Sequence, residues 1–406
     1  MLAFSDFLTE QKNTHMTHIE DKVLYGGVSG TRQAIFALRD LRDMLSGVKE
    51  TGVSVKWDGA PAIFAGTDPR DGQFFVAKKG IFNKNPKVYK TPAEVDEDTS
   101  GDLATKLKDA LQYLPALGIK GVIQGDFLFG KGDVKKQKIK GERYITFHPN
   151  TIVYAIPVDQ AKDIQRAKIG IVWHTTYTGS TFETMKASYG VDVSKLKKTA
   201  NVWSQDAMLR DVRSATMTKN ETETVNEYLS QIGKLFNGIS GTTLRTLEAN
   251  QTLAQHIEQF NNTYVKAGQI VGNSSAHAEK LINWIKAKYQ KEIDARKTTK
   301  GKGAQQAKLD ALLVFFSASN KENLVKMFEL QKLIVLAKLK LINKLNRLQS
   351  IDAFVKTKKG YKVTGAEGYV AIDKLGGDAV KLVDRMEFSY NNFSPDILKG
   401  WDKSGR

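Results

Sequence analysis

Lys56 is the side chain of this sequence whose surroundings best suit a nucleophile. It lies in the run Val53-Ser54-Val55-Lys56-Trp57-Asp58-Gly59-Ala60-Pro61-Ala62-Ile63-Phe64. Val53 and Val55 alternate with Ser54, and Ile63 and Phe64 follow a Trp-Asp-Gly-Ala-Pro break, so the spacing predicts a strand, a tight turn and a second strand. The lysine then sits at a sheet end beside a glycine. An amine attacks phosphorus only when neutral, so such a lysine needs neighbouring cations, desolvation or a metal-bound substrate to lower its pKa. Lys56 to Gly59 also describe a surface lysine beside a hairpin turn, and short motifs recur by chance. The later stretches of the chain, taken in order, separate the two.

Phe74-Phe75-Val76-Ala77-Lys78-Lys79-Gly80 reads as a strand ending in basic residues and a glycine, and Val122-Ile123-Gln124-Gly125-Asp126-Phe127 as a strand ending in an acid. Ile152-Val153-Tyr154-Ala155-Ile156 carries an aromatic ring mid-strand, and Glu367-Gly368-Tyr369-Val370 and Val380-Lys381-Leu382 complete the series. In this order, with Lys56-Trp57-Asp58-Gly59 standing for a first motif K-x-D-G, the stretches resemble the covalent nucleotidyltransferase superfamily. That superfamily comprises ATP-dependent DNA ligases, RNA ligases and messenger-RNA capping enzymes.

The resemblance implies an α+β adenylation-domain fold of antiparallel sheets with flanking helices, and an ATP- and Mg²⁺- (or Mn²⁺-) dependent reaction through lysyl-AMP. It places Lys56, Asp58 and Lys381 in the catalytic set, with Lys56 attacking the α-phosphorus and Lys381 holding the α-phosphate. Asp126 and Glu367 become metal ligands, direct or through water. Gly59, Glu367, Lys78 with its rival Lys79, and Tyr154 as the base-stacking ring would contact nucleotide; Trp173-His174, one strand later, competes with Tyr154. The sequence also departs from the pattern. Ala60-Pro61-Ala62 stand where DNA ligases carry an arginine, Asp126 stands where glutamate is common, and Lys381 is flanked by Ala379 and Val383 rather than a second lysine. Only 22 residues follow Asp384, too few for a C-terminal OB-fold, so an RNA ligase is expected ahead of a DNA ligase. A catalytically reduced nucleic-acid-binding or virion-associated protein is the alternative, and the helical and N-terminal regions resemble uncharacterised proteins of large tailed phages.

Elements able to position these residues can be read along the chain. Residues 1–50 are expected to be helical, with Ser29-Gly30-Thr31 capping a helix marked by Ile35, Leu38, Leu41 and Leu45, packed on the catalytic domain. Gly26-Gly27 lacks a phosphate-loop continuation and reads as a turn. Strand patterns dominate from Val53 to about Gly179, with Asp68-Pro69-Arg70-Asp71-Gly72 as a hairpin turn and one amphipathic helix from Leu103 to Leu114. Helical patterns then run to about Ser350, with a basic loop expected at Thr298-Thr299-Lys300-Gly301-Lys302-Gly303, before strands return. The expected layout is a helical segment 1–50, a nucleotidyltransferase domain 51–198 and 352–406, and a helical insertion 199–351.

The formal net charge of +17 favours polyanions through phosphate contacts and counterion release. From Lys326 to Lys362 ten Lys or Arg face two acids, Glu329 and Asp352, which predicts a nucleic-acid groove through Lys338, Lys340, Lys344, Arg347, Lys356, Lys358 and Lys359. With no cysteine there are no disulfides, no thiol catalysis and no cysteine-ligated zinc, and six histidines lack metal-type spacing. No apolar run reaches membrane-spanning length and no signal-peptide layout opens the chain, so a cytoplasmic protein is expected.

Overall fold

A computed structural model describes residues 16–48, 52–209, 216–348, 351–372 and 379–401. Expectations for the first fifteen residues and for 49–50 lie outside these. Two helices come first, α1 (Lys22–Tyr25) and α2 (Gly27–Leu45). The strand-rich part follows with β1 (Gly52–Lys56), β2 (Ala62–Thr67), β3 (Phe74–Ala77), α3 (Pro92–Asp98) and α4 (Gly101–Tyr113). It continues through β4 (Val122–Gly130), β5 (Lys135–Ile139), β6 (Glu142–Phe147), β7 (Ile152–Pro157), α5 (Lys162–Arg166), β8 (Ile169–Thr178), β9 (Lys186–Tyr189) and β10 (Val202–Asp206). Next come α6 (Lys219–Gly238), α7 (Gly241–Ala249), α8 (Gln251–Lys266), α9 (Ser274–Asp294), α10 (Thr299–Phe315) and α11 (Lys321–Leu345). The described chain closes with β11 (Asp352–Thr357), β12 (Gly360–Val363), β13 (Gly368–Ile372), β14 (Ala379–Leu382), α12 (Arg385–Phe393) and β15 (Ile397–Leu398).

The fold is α+β, built on three sheets ordered β1-β13-β14, β10-β8-β4-β2-β3 and β12-β11-β7-β6-β5. Pairing is antiparallel except between β8 and β10, which run parallel. The second and third sheets pack on each other through Phe129, Phe147, Tyr154, Val172 and Ala353, with Trp57 in the same cluster. The other face of the second sheet is covered by α4 through Leu107 and Ala110, and by Leu114 just after it. The first sheet buries Tyr369, Ala371, Val380 and Leu382 against the helical block and α2, which share one core with it. Burial of that size is the main stabilising term for such layers.

Local chemistry accounts for many boundaries. Thr91 with Glu94 and Thr218 with Glu221 form reciprocal caps at the starts of α3 and α6. At the turn between β2 and β3, the Asp68 carboxylate accepts from Arg70 N and Gly72 takes φ 75°.

Several expectations change. Helix α2 begins at Gly27, so Ser29-Gly30-Thr31 lie inside it, and Thr31 Oγ1 donates back to Gly27 O. Gly30 is fixed by crowding, since a Cβ there would meet Lys22 O at 2.2 Å. The expected loop at 298–303 is the first turn of α10, because Thr298 accepts from Gly301 N and caps it. Asn250 ends α7 and caps α8, so the helical run is broken there. Finally, β10 lies beyond residue 198 yet belongs to the second sheet, so the sheet portion extends through Asp206.

Candidate active site

Lys56 ends β1, where it pairs with Gly368 of β13. Glu367, the residue before β13, takes the Lys56 ammonium in an ion pair at its Oε1, and both side chains are largely buried. Lys381 stands opposite Val370 on the next strand, β14. Burial pulls the Lys381 ammonium below its ordinary range and the Lys56 charge adds to this, with Glu367 opposing. Burial likewise raises the Glu367 carboxyl against the pull of Lys56. One end of a small sheet thus gathers two amines and an acid, each partly shielded from water.

The turn after Lys56 is strapped down on both sides. The Asp58 carboxylate accepts from Asn150 Nδ2 at 2.8 Å and from the amides of Thr151 and Ile152 at 2.7 Å each, while Asp58 N donates to Tyr154 Oη at 2.7 Å. Ala60 N donates to Phe127 O at 2.9 Å and Phe127 N to Pro61 O at 3.0 Å, with the Ala60–Pro61 peptide cis. Gly59 is required here because a Cβ would meet Asp126 Cβ at 2.6 Å. The turn therefore lies directly on β4 at Asp126.

Burial raises the Asp126 carboxyl to about 7, the Asp58 charge adds to this, and Lys56 and Lys79 oppose it. Beside Asp126 lies a residue that sequence reasoning named only as a rival stacking ring. The register of β4 and β8 slips between Gln124–Thr175 and Gly125–Trp173, leaving His174 as the bulged residue. Its Nε2 is 3.9 Å from Asp126 Oδ2 and its Nδ1 meets Thr175 Oγ1 at 2.7 Å. Burial, then the Lys56 charge, holds the imidazole down to about 4. A bulge has no sequence signature in an alternating strand, so the sequence carried no signal for it.

Asp126 on β4 and Glu367 just before β13 offer hard carboxylate oxygens. Among the described residues no group of three or more His, Cys, Asp or Glu gathers to hold an ion alone. This donor set suits Mg²⁺, which keeps several waters and takes one or two carboxylates plus substrate phosphates. A sequence profile described as "Family of unknown function (DUF6267)" matches residues 13–396. The chain belongs to that family. No curated protein matches the chain, and no solved structure does.

In this DUF6267 member the remaining expected residues divide. Tyr154 is buried, its ring 4.9 Å from Trp57 and 5.4 Å from Phe147, so it is core packing and an anchor for Asp58 rather than a stacking surface. Lys78 Nζ lies 2.9 Å from Asp98 Oδ2 and over the Tyr89 ring, whereas Lys79 is exposed. Lys338 and Lys344 are buried and paired with Glu20 and Glu221 at 2.8 Å each, which removes them from any nucleic-acid surface. Lys340, Arg347, Lys358 and Lys359 are exposed, and Lys356 is half-buried. No helix among the described residues is long and apolar enough to cross a membrane.

Proposed function

We propose that this protein is an ATP-dependent, polynucleotide-ligase-like nucleotidyltransferase acting in the cytoplasm through lysyl-AMP on Lys56, with RNA preferred to DNA as acceptor. The observation that carries the reading is the convergence of Lys56 on β1, Glu367 just before β13 and Lys381 on β14, although Lys56 and Glu367 are 311 positions apart. Lys56 Nζ, parted from Glu367 and deprotonated, attacks the α-phosphorus of ATP. A nitrogen–phosphorus bond forms, the bond to the bridging oxygen breaks and pyrophosphate leaves. Lys381, beside Lys56, holds the α-phosphate oxygens and offsets charge developing on them. A polynucleotide 5′-phosphate oxygen then takes the adenylate from Lys56, and a 3′-hydroxyl displaces AMP to seal the strand. Asp126 and Glu367 would hold Mg²⁺ or Mn²⁺, which supplies neutralisation of phosphate charge when bound.

The test is incubation with α-labelled ATP or GTP and Mg²⁺ or Mn²⁺ after pyrophosphate stripping, followed by a denaturing gel. Label retained by the wild type and lost in Lys56→Ala supports the reading and names the nucleotide. An unlabelled wild type transfers support to the second reading, a nucleic-acid-binding or virion-associated protein with this fold and reduced catalysis. One observation favours that second reading: Asp58 is engaged by two backbone amides and Asn150.

A further inference from the structure

The outward face of the third sheet carries a groove that the active-site chemistry does not use. It is lined by Lys135 and Gln137 of β5, His148, Lys356 of β11, Tyr361 of β12 and Lys399. Three ammonium groups thus come from three separate segments, and Asp133, the acid among the lining residues, is occupied as an acceptor for Gly130 N at 2.8 Å. Burial holds the His148 ring down to about 4, and the charges of Lys356 and Lys399 push the same way against Thr151 and Asp58. Such a concentration of cations in a polar groove suits a chain of phosphates.

The rim of the groove is aromatic. Gly400 approaches His148 so closely that a Cβ would meet His148 O at 1.9 Å, and its N donates to Asn150 O at 2.6 Å. Trp401 follows directly, its Nε1 bonded to Asn150 Oδ1 at 3.2 Å while 67% of the residue stays exposed. Single exposed rings are common. This indole is held by its one polar atom two residues after Lys399, with its ring face left open.

Hydrogen bonds tie the groove wall to the turn after Lys56. Lys399 Nζ bonds Thr151 Oγ1 at 2.9 Å, and Thr151 N bonds the Asp58 carboxylate at 2.7 Å. Asp58 is two residues from Lys56.

We propose that the groove between Lys135, Lys356 and Lys399, with Trp401 at its rim, binds single-stranded nucleic acid. This binding does not rest on the nucleotidyltransferase reading. Unpaired bases offer a free face to the indole that a duplex keeps stacked inside.

The experiment is fluorescence anisotropy of the full chain with a labelled oligouridine of about 12 nucleotides and a duplex of equal length. Wild type is expected to bind the single strand more tightly than the duplex. Its affinity should fall about 20-fold between roughly 50 and 200 mM salt, as three phosphate contacts require. Lys135→Glu should weaken binding and flatten the salt slope, and Trp401→Ala should weaken it by about fivefold or more with the slope kept. Both positions are exposed, and equal melting temperatures would set folding aside. Lys56→Ala should bind like the wild type, so failed adenylylation and failed strand binding are read separately. Equal or tighter binding of duplex, no binding, or indifference to both surface substitutions would overturn the proposal.

Discussion

Lys338 Nζ lies 2.8 Å from Glu20 Oε1, joining residues 318 positions apart, with 1% and 5% of the side chains exposed. Arg385 reaches the same carboxylate oxygen at 3.5 Å and Asp21 Oδ2 at 2.8 Å. Burial would raise the Glu20 carboxyl, but Lys338 and Arg385 outweigh it and hold it below the usual range. This internal strut joins the N-terminal segment, α11 and α12.

Lys338→Ala should therefore cost about 3–5 kcal/mol, because it strands a buried carboxylate. Lys340→Ala, on the exposed side of the same helix, should stay within about 0.5 kcal/mol. Urea unfolding of both variants decides it, and equal effects would show that the strut does not stabilise the fold.

Asp58→Asn should destabilise the protein by about 1–3 kcal/mol, because the amide cannot accept all three bonds that the carboxylate takes from Asn150, Thr151 and Ile152. A melting temperature equal to that of the wild type would show that Asp58 matters for chemistry alone.

Gly59→Ala should cost about 1–3 kcal/mol through its contact with Asp126 Cβ and reduce nucleotide labelling of Lys56. Gly72→Ala serves as a control, since its Cβ would meet nothing within 4 Å and only its φ of 75° is strained. Labelling unchanged in Gly59→Ala would sever the turn from the reaction.

The pH dependence has a definite sign at His277. Its ring packs against Phe260 and Phe328 with Nε2 2.8 Å from Asn261 Oδ1, and burial, then the Lys280 charge, holds it down to about 4. Between pH 4 and 6.5 the unfolded chain binds this proton more readily than the folded one, so stability present above 6.5 is lost as pH falls. Asp21 and Asp126, both raised to about 7, act oppositely and lower stability as pH rises from about 4 to 7. His277→Gln should remove an acid loss on the order of 3 kcal/mol. Unfolding curves at neutral and acid pH for both proteins test this, and parallel pH profiles would refute it.

Much of this arrangement was legible where local pattern and local structure agree. Alternating valines and aromatics marked β1, β3, β4 and β13, and the turn at Asp68 to Gly72 closed its hairpin as read. Strand β5 was not legible, because Lys135-Lys136-Gln137-Lys138 have little strand preference. It is held by pairing with β6 across Lys140 and Gly141, both at positive φ. Charge counting placed Lys338 and Lys344 on a surface because a linear count cannot see Glu20 and Glu221 folding back over them. Tyr154 sat on the expected strand, but which face of that strand is buried depends on the third sheet meeting the second.

The pairing of β1 with β13 also bears on how the protein is born. Lys56 leaves the ribosome 311 residues before Glu367, and the whole helical block must be synthesised between them. A nascent chain therefore carries its amine without the acid that engages it and without Lys381. A premature stop between residues 56 and 367 yields a fragment that retains the lysine yet lacks its partners. Synthesis through Lys381 is thus needed before these three side chains can meet.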